Sequence, residues 1–306
     1  MRITAIGAAN IDVTAKSKSE IVNGKYNLSD ISLSAGGAAL NIAAMLAVNS
    51  AKVDLIAAVG NDMLGKLLRD SCAGLGINIG TLISRNNTNT CIEVNALKND
   101  GEHYISFGGE PSAELLRTGD ITRHKEIIRE TDLLIMDLNL PREILSAAIE
   151  HREGRPIMVD AVDVDKVSRV EGILSDISIL KLNRVQAERL TGITLEAKER
   201  VKYACQSIVE RGVERVFITL GMAGVCAADK KGAIVVPSIP VVTKDLSGVG
   251  AAFSAGIALN FKSELRQQAE QGAWLASKHL GRNMQSRNQS QKTNDSISEQ
   301  GEDFLI

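Results

Sequence analysis

The sequence predicts a doubly wound α/β fold, a mainly parallel sheet with helices on both faces, together with a small β lid. Three observations predict it. Apolar runs of strand length alternate with helix-period segments through most of the 306 residues, the rhythm of βα units. Several of those runs are apolar at every position, as strands covered on both faces must be. Two other stretches, 13–34 and 88–107, alternate polar with apolar residues, carry turn residues and lack a crossover helix. They read as strands of a separate, half-covered sheet, suited to a lid or a dimer surface.

In chain order, Ile3 to Ala8 is the first strand, and the helix Ala38 to Asn49 follows the first polar stretch. Val53 to Val59 is a strand and Met63 to Leu75 a helix. Within the second polar stretch, Asn99-Asp100-Gly101 is a hairpin turn signal. The alternation then resumes: strand Leu133 to Met136, helix Arg142 to Arg152, strands Pro156 to Asp160 and Ile177 to Leu182, helices Val185 to Leu190 and Ala197 to Arg211, and strand Val216 to Leu220. The α/β unit spans 1–282, and the polar run over 283–306 reads as a disordered tail.

Composition narrows the function. Basic and acidic residues number 35 and 37, so nothing is basic enough to track a nucleic-acid backbone. Aromatics at 3% argue against base-stacking platforms. Cys72, Cys91, Cys205 and Cys226 lie apart in apolar runs and read as buried thiols; the four histidines lack metal-ligand spacing. No apolar stretch approaches the ~20 residues needed to span a membrane. Met1 leads directly into a strand-like run with no secretory signal, so a cytoplasmic protein is expected.

Three segments carry chemistry. Asp245-Leu246-Ser247-Gly248-Val249-Gly250-Ala251-Ala252-Phe253 is a glycine-rich turn opening into an apolar helix. Converging N–H groups and the helix N-terminus would make an anion hole. Gly36-Gly37 precedes an Ala-rich helix that Asn41 interrupts one turn in, where a polar side chain can meet a ligand hydroxyl. Asn10 and Asp12 follow the first strand, beyond whose carboxyl end ligands of open α/β sheets bind. An amide and a carboxylate suit paired sugar hydroxyls.

In this order and spacing the segments resemble the PfkB family of carbohydrate and nucleoside kinases, which has the ribokinase-like fold. The family's D-[TS]-x-G-A-G-D-x-F appears as DLSGVGAAF, and its G-G-x-x-x-N-x-A matches Gly36 to Ala43. KLNRVQAERLTG looks like its N-x-x-E segment and ITLGMAGV like its T-L-G-x-x-G. The resemblance covers about residues 2–280. It looks nearest to the pseudouridine kinase branch, with Ala38 where ribokinase has a lysine.

The resemblance implies an ATP-dependent phosphotransferase acting on a ribose-like sugar or nucleoside, with Mg2+ accompanying ATP. It implies that Asn10, Asp12, Gly36, Gly37 and Asn41 hold the acceptor, and that Asn183, Thr219, Gly221 and Gly224 line the ATP side. Gly248, Val249 and Gly250, with the N–H of Ala251, would form the anion hole. The family also implies a lid-mediated homodimer.

Two positions depart from the pattern. The catalytic aspartate of G-A-G-D is Ala251 here, and a methyl group cannot take the hydroxyl proton. Loss of a general base costs ~10²–10⁴-fold. In place of N-x-x-E, Asn183 is followed by Gln186, which reaches Mg2+ only through water. Glu188, five residues on, points roughly 140° away at about 100° per residue. Two accounts fit: a laboratory substitution at 251 in a competent enzyme, or a natural homologue that is catalytically silent and still binds or regulates.

Overall fold

The computed structural model describes residues 1–243 and 246–281; the tail over 283–306 and Asp245 lie outside them. The chain opens with β1 (Arg2–Ile6), β2 (Asn10–Ser17) and β3 (Ser29–Gly36), then α1 (Ala38–Val48) and β4 (Lys52–Gly60). Next come α2 (Met63–Gly74), β5 (Leu82–Arg85), β6 (Ile92–Leu97) and β7 (His103–Gly108). The short helices α3 (Thr118–Arg123) and α4 (Lys125–Arg129) lead to β8 (Leu133–Asp137), α5 (Arg142–His151), β9 (Ile157–Asp160) and β10 (Ile179–Asn183). α6 (Arg184–Thr191) and α7 (Lys198–Glu210) precede β11 (Arg215–Thr219), β12 (Val225–Asp229), β13 (Gly232–Val236) and α8 (Val249–Leu259). A final helix covers 265–281.

The large sheet runs β13-β12-β11-β10-β9-β8-β1-β4-β5. From β11 to β5 every pairing is parallel; β12 and β13 add an antiparallel edge. Successive residues serve opposite faces. In β4, Val53, Leu55, Ala57 and Val59 enter one core with α1, α2, α8 and the final helix, while Ile56 and Ala58 enter the other. That second core holds Ile121, Ile144, Leu145, Val201 and Ile208 from α3, α5 and α7. The predicted doubly wound architecture is the observed one.

β1 ends earlier than the apolar run suggests. The next N–H groups leave the ladder: Ala8 N–H donates to Asp137 Oδ2 at 2.8 Å and Ala9 N–H to Ser112 Oγ at 2.9 Å. The β12–β13 hairpin, β5, α3 and α4 were not separated in the sequence reading, because short apolar runs there carry no clear period. Cys72, Cys205 and Cys226 are buried as expected; Cys91 is only half-buried, since it sits where the large sheet gives way to β6.

The two polar stretches form a second sheet, β3-β2-β6-β7. Its turn at 98–102 closes through Lys98 N–H to Glu102 O at 2.8 Å, with Gly101 at φ +90°. The cross-strand register makes this sheet two-faced. Leu33, Val13, Val94 and Phe107 form one apolar row and Ile31, Ala15, Ala96 and Ile105 the next. The other face carries Ser34, Asp12 and Glu93 in one row, and Ser32, Thr14, Asn95 and Ser106 in another.

Candidate active site

β2 and β3 begin and end nearer the large sheet than the 13–34 span suggests. Their first pair is Asn10 with Gly36, which places the predicted acceptor residues at the root of the small sheet. The Asn10 carboxamide donates to Asp12 Oδ1. Both neighbouring glycines are required by close approach. A Cβ on Gly36 would lie 2.6 Å from Asp12 Oδ1, and one on Gly37 would lie 2.6 Å from Asn10 Oδ1 and 2.5 Å from Ala8 O. Gly37 also holds φ +100° as it caps α1. The two glycines and the two polar residues are one packed unit.

Asn41 is tied to it through its backbone, N–H to Gly37 O at 2.8 Å. Its carboxamide makes no hydrogen bond among the described residues and remains available. The Asp12 carboxyl is pushed up to about 6, chiefly by burial and then by the Glu93 charge, against the Asn10 hydrogen bond that favours ionisation.

Asp137, the last residue of β8, was not singled out in the sequence. Its Oδ2 accepts from Ala8 N–H at 2.8 Å and Ala39 N–H at 3.1 Å; its Oδ1 accepts from Asn139 N–H at 2.9 Å. It joins the end of β1 to the first turn of α1 and so braces both halves of the acceptor site. Burial raises it to about 6, with the backbone donors offsetting part of the rise and the Asp160 charge adding to it.

On the next two strands, Asp160 of β9 and Lys181 of β10 form a buried ion pair of 3.2 Å. Asp160 also accepts from Ser254 Oγ at 2.6 Å and Val162 N–H at 3.2 Å. Ser254 lies one turn into α8, so this pair sets where α8 begins. The Lys181 ammonium reaches the glycine loop itself: a Cβ on Gly250 would lie 3.4 Å from Nζ. A lone lysine inside the apolar run ILKLN was the available signal, since a buried charge requires a partner.

Gly248 caps α8 at φ +72° and packs against His279, whose Nε2 lies 2.9 Å from Ser247 O. Val249 N–H, expected to donate into the anion hole, is instead taken by Leu246 O at 3.2 Å, because the turn before α8 closes on itself. Gly250 and Ala251 N–H groups have no acceptor among the described residues, as expected for a helix start. Ala251 is partly buried with no polar group to offer.

Asn183 and Thr219 are register partners at the ends of β10 and β11. Gly221 at φ +60° and Gly224 at φ +95° shape the turn that follows, closed by Leu220 N–H to Gly224 O at 2.8 Å. Asn183 and Gln186 form a reciprocal capping box on α6, and Gln186 is buried with its Oε1 accepting from Asn183 N–H at 2.7 Å. Among the described residues no three His, Cys, Asp or Glu side chains group to hold a metal ion. Gln186, at the position linked to Mg2+, brings no charge, and its carboxamide oxygen already accepts from Asn183 N–H.

All these groups stand on the carboxyl edge of the sheet, in the order β11, β10, β9, β8, β1. Strands lie about 4.8 Å apart, so the acceptor residues at β1 and the nucleotide-side residues at β10 are roughly 14 Å apart. The start of α8 stands beside Lys181 of β10, and Ser254 ties the helix to Asp160 of β9.

The pfkB family carbohydrate kinase profile matches residues 1–288. The chain is 29% identical to pseudouridine kinase of Escherichia coli over 258 residues, 84% of this chain and 82% of that one. It is 26% identical to ribokinase of Haemophilus influenzae over 224 residues, 72% of each. The ribokinase of Arabidopsis thaliana complexed with ribose and ATP superposes with a TM-score of 0.76 at 23% identity, covering 90% of this chain and 89% of that one. No helix among the described residues is long and apolar enough to cross a membrane.

Proposed function

Starting from the family to which this chain belongs, the pfkB family carbohydrate kinases, we propose that it binds a ribose-like sugar or nucleoside, pseudouridine foremost, beside ATP, and that phosphoryl transfer is impaired. The observation that carries this is the packed unit of Gly36, Gly37, Asn10 and Asp12. The two glycines, moulded around the two polar side chains, hold the predicted acceptor groups together. Asn10, Asp12 and Asn41 orient the acceptor hydroxyls. The N–H groups of Gly250 and Ala251 receive the phosphoryl group. Position 251 takes no proton, so the alcohol must lose it to water. Similarity to pseudouridine kinase over 84% of the chain supports the substrate choice, and the ribose and ATP bound to the Arabidopsis neighbour support the pair of ligands. Any Mg2+ used in transfer would come with the nucleotide rather than from a described carboxylate cluster.

The test is ATP-dependent phosphorylation of pseudouridine and ribose by the chain and by Ala251→Asp. The substitution is expected to raise turnover ~10²–10⁴-fold. No phosphorylation of any sugar or nucleoside by Ala251→Asp would reject the lost-base account.

A second reading, a catalytically silent ligand-binding or regulatory homologue, is favoured by the neutral residues at both 251 and 186. It expects ligand-induced thermal stabilisation without turnover in either protein. The small sheet is the lid in both readings. Its apolar face, with Ile31 66%, Leu33 54% and Phe107 62% exposed, is where a second copy would pack to form a homodimer.

A further inference from the structure

We propose that the phosphate pocket at the start of α8 works without a divalent cation: it takes the phosphates of a free nucleotide, with the Lys181 ammonium as counter-charge. This rests on the nucleotide reading above and concerns how that site balances charge.

The described groups around the pocket are backbone N–H donors and one ion pair, Lys181 with Asp160; Asp245 of the same loop lies outside the described residues. Residue 251 carries a methyl group. Gln186 is uncharged, and its carboxamide oxygen is held in the α6 capping box. Asp160 is the nearest carboxylate, but it is 3% exposed and already accepts from Lys181, Ser254 and Val162. Both of its oxygens are engaged, Oδ1 by Lys181 and Val162 and Oδ2 by Ser254.

Lys181 is differently placed. It is 7% exposed, and Asp160 is its one hydrogen-bond acceptor among the described residues. An ammonium has three donors, so two remain. Its Nζ stands beside Gly250, whose N–H, with that of Ala251, has no acceptor among the described residues. Asp160 offsets much of the ammonium's charge, but the unused donors of Lys181 and the helix N–H groups beside it favour an anion and offer a cation no ligand. A nucleotide already carrying Mg2+ presents less negative charge to such a site. Magnesium should leave affinity unchanged or lower it.

The experiment is calorimetry of the full chain with ADP, once in EDTA and once in excess magnesium. The expected result is binding in EDTA at least as tight as in magnesium. Lys181→Met combined with Asp160→Asn, which removes both charges together, should weaken binding in EDTA about tenfold or more. Ala251→Asp combined with Gln186→Glu should acquire magnesium dependence. If magnesium tightens binding to the unmodified chain about tenfold or more, the inference fails and the nucleotide reading stands. If ADP binds in neither buffer, both fail. A Lys181→Met/Asp160→Asn protein that folds and binds like the parent also overturns the inference.

Discussion

Asp12 and Gly36 face each other across the root of the lid, and the Asp12 carboxylate fills the space that any side chain at residue 36 would need. Two of the most local features of the sequence, a glycine pair and a polar strand start, therefore depend on one another. Gly36→Ala must displace the carboxylate or the strand. It should cost about 1–3 kcal/mol of stability and weaken acceptor binding. Denaturant melts and a nucleoside titration would check it; a variant that matches the parent in both would mean that the packing here is loose.

Asp12 should also give the chain a pH signature. Its carboxyl titrates near 3.8 ordinarily and at about 6 in the fold. The folded state then holds this proton more tightly than the unfolded state. Its stabilising contribution is complete below the ordinary value and is lost as pH rises through about 6. Asp12→Asn should be at least as stable as the parent near neutral pH, with the difference shrinking on acidification. Acceptor affinity should go the other way, lower in Asp12→Asn near neutrality and falling in the parent as the carboxylate protonates. Parallel pH profiles for the two proteins would contradict this.

Asp137→Ala removes the acceptor from two buried N–H groups, those of Ala8 and Ala39, and from the partly buried N–H of Asn139. The expected loss is about 3–5 kcal/mol, read as a fall in the denaturation midpoint. Asp137→Asn retains an acceptor oxygen and should lose less. Because the residue braces β1 against α1, acceptor affinity should fall with the carboxamide even where the protein remains folded.

The lid face predicts an assembly. Leu33→Asp combined with Phe107→Asp places charges in one apolar row of the small sheet. Sedimentation should show the parent as a dimer and the variant as a folded monomer. A parent that stays monomeric at high concentration would remove the dimer from the reading.

What the sequence determined by itself was local and periodic. Strands such as β4 were legible because every residue is apolar, and the lid because its residues alternate. Gly36-Gly37, Asn10 and Asp12, and the loop Gly248 to Ala251, were legible because their chemistry is written within a few consecutive positions. The Asn99-Asp100-Gly101 turn was legible for the same reason. Asp137, Asp160 and Lys181 were not. Each sits in a short apolar run, where a single polar residue marks a strand end as readily as a site. Their partners lie far off: Ala8 is 129 positions from Asp137, and Ser254 is 94 from Asp160. Only the strand order β10-β9-β8-β1 brings those residues to one edge. Tertiary structure also decided what Gln186 does. Its place in a motif suggested a link to metal, whereas burial required its carboxamide to be satisfied, and the nearest donor was the backbone of Asn183.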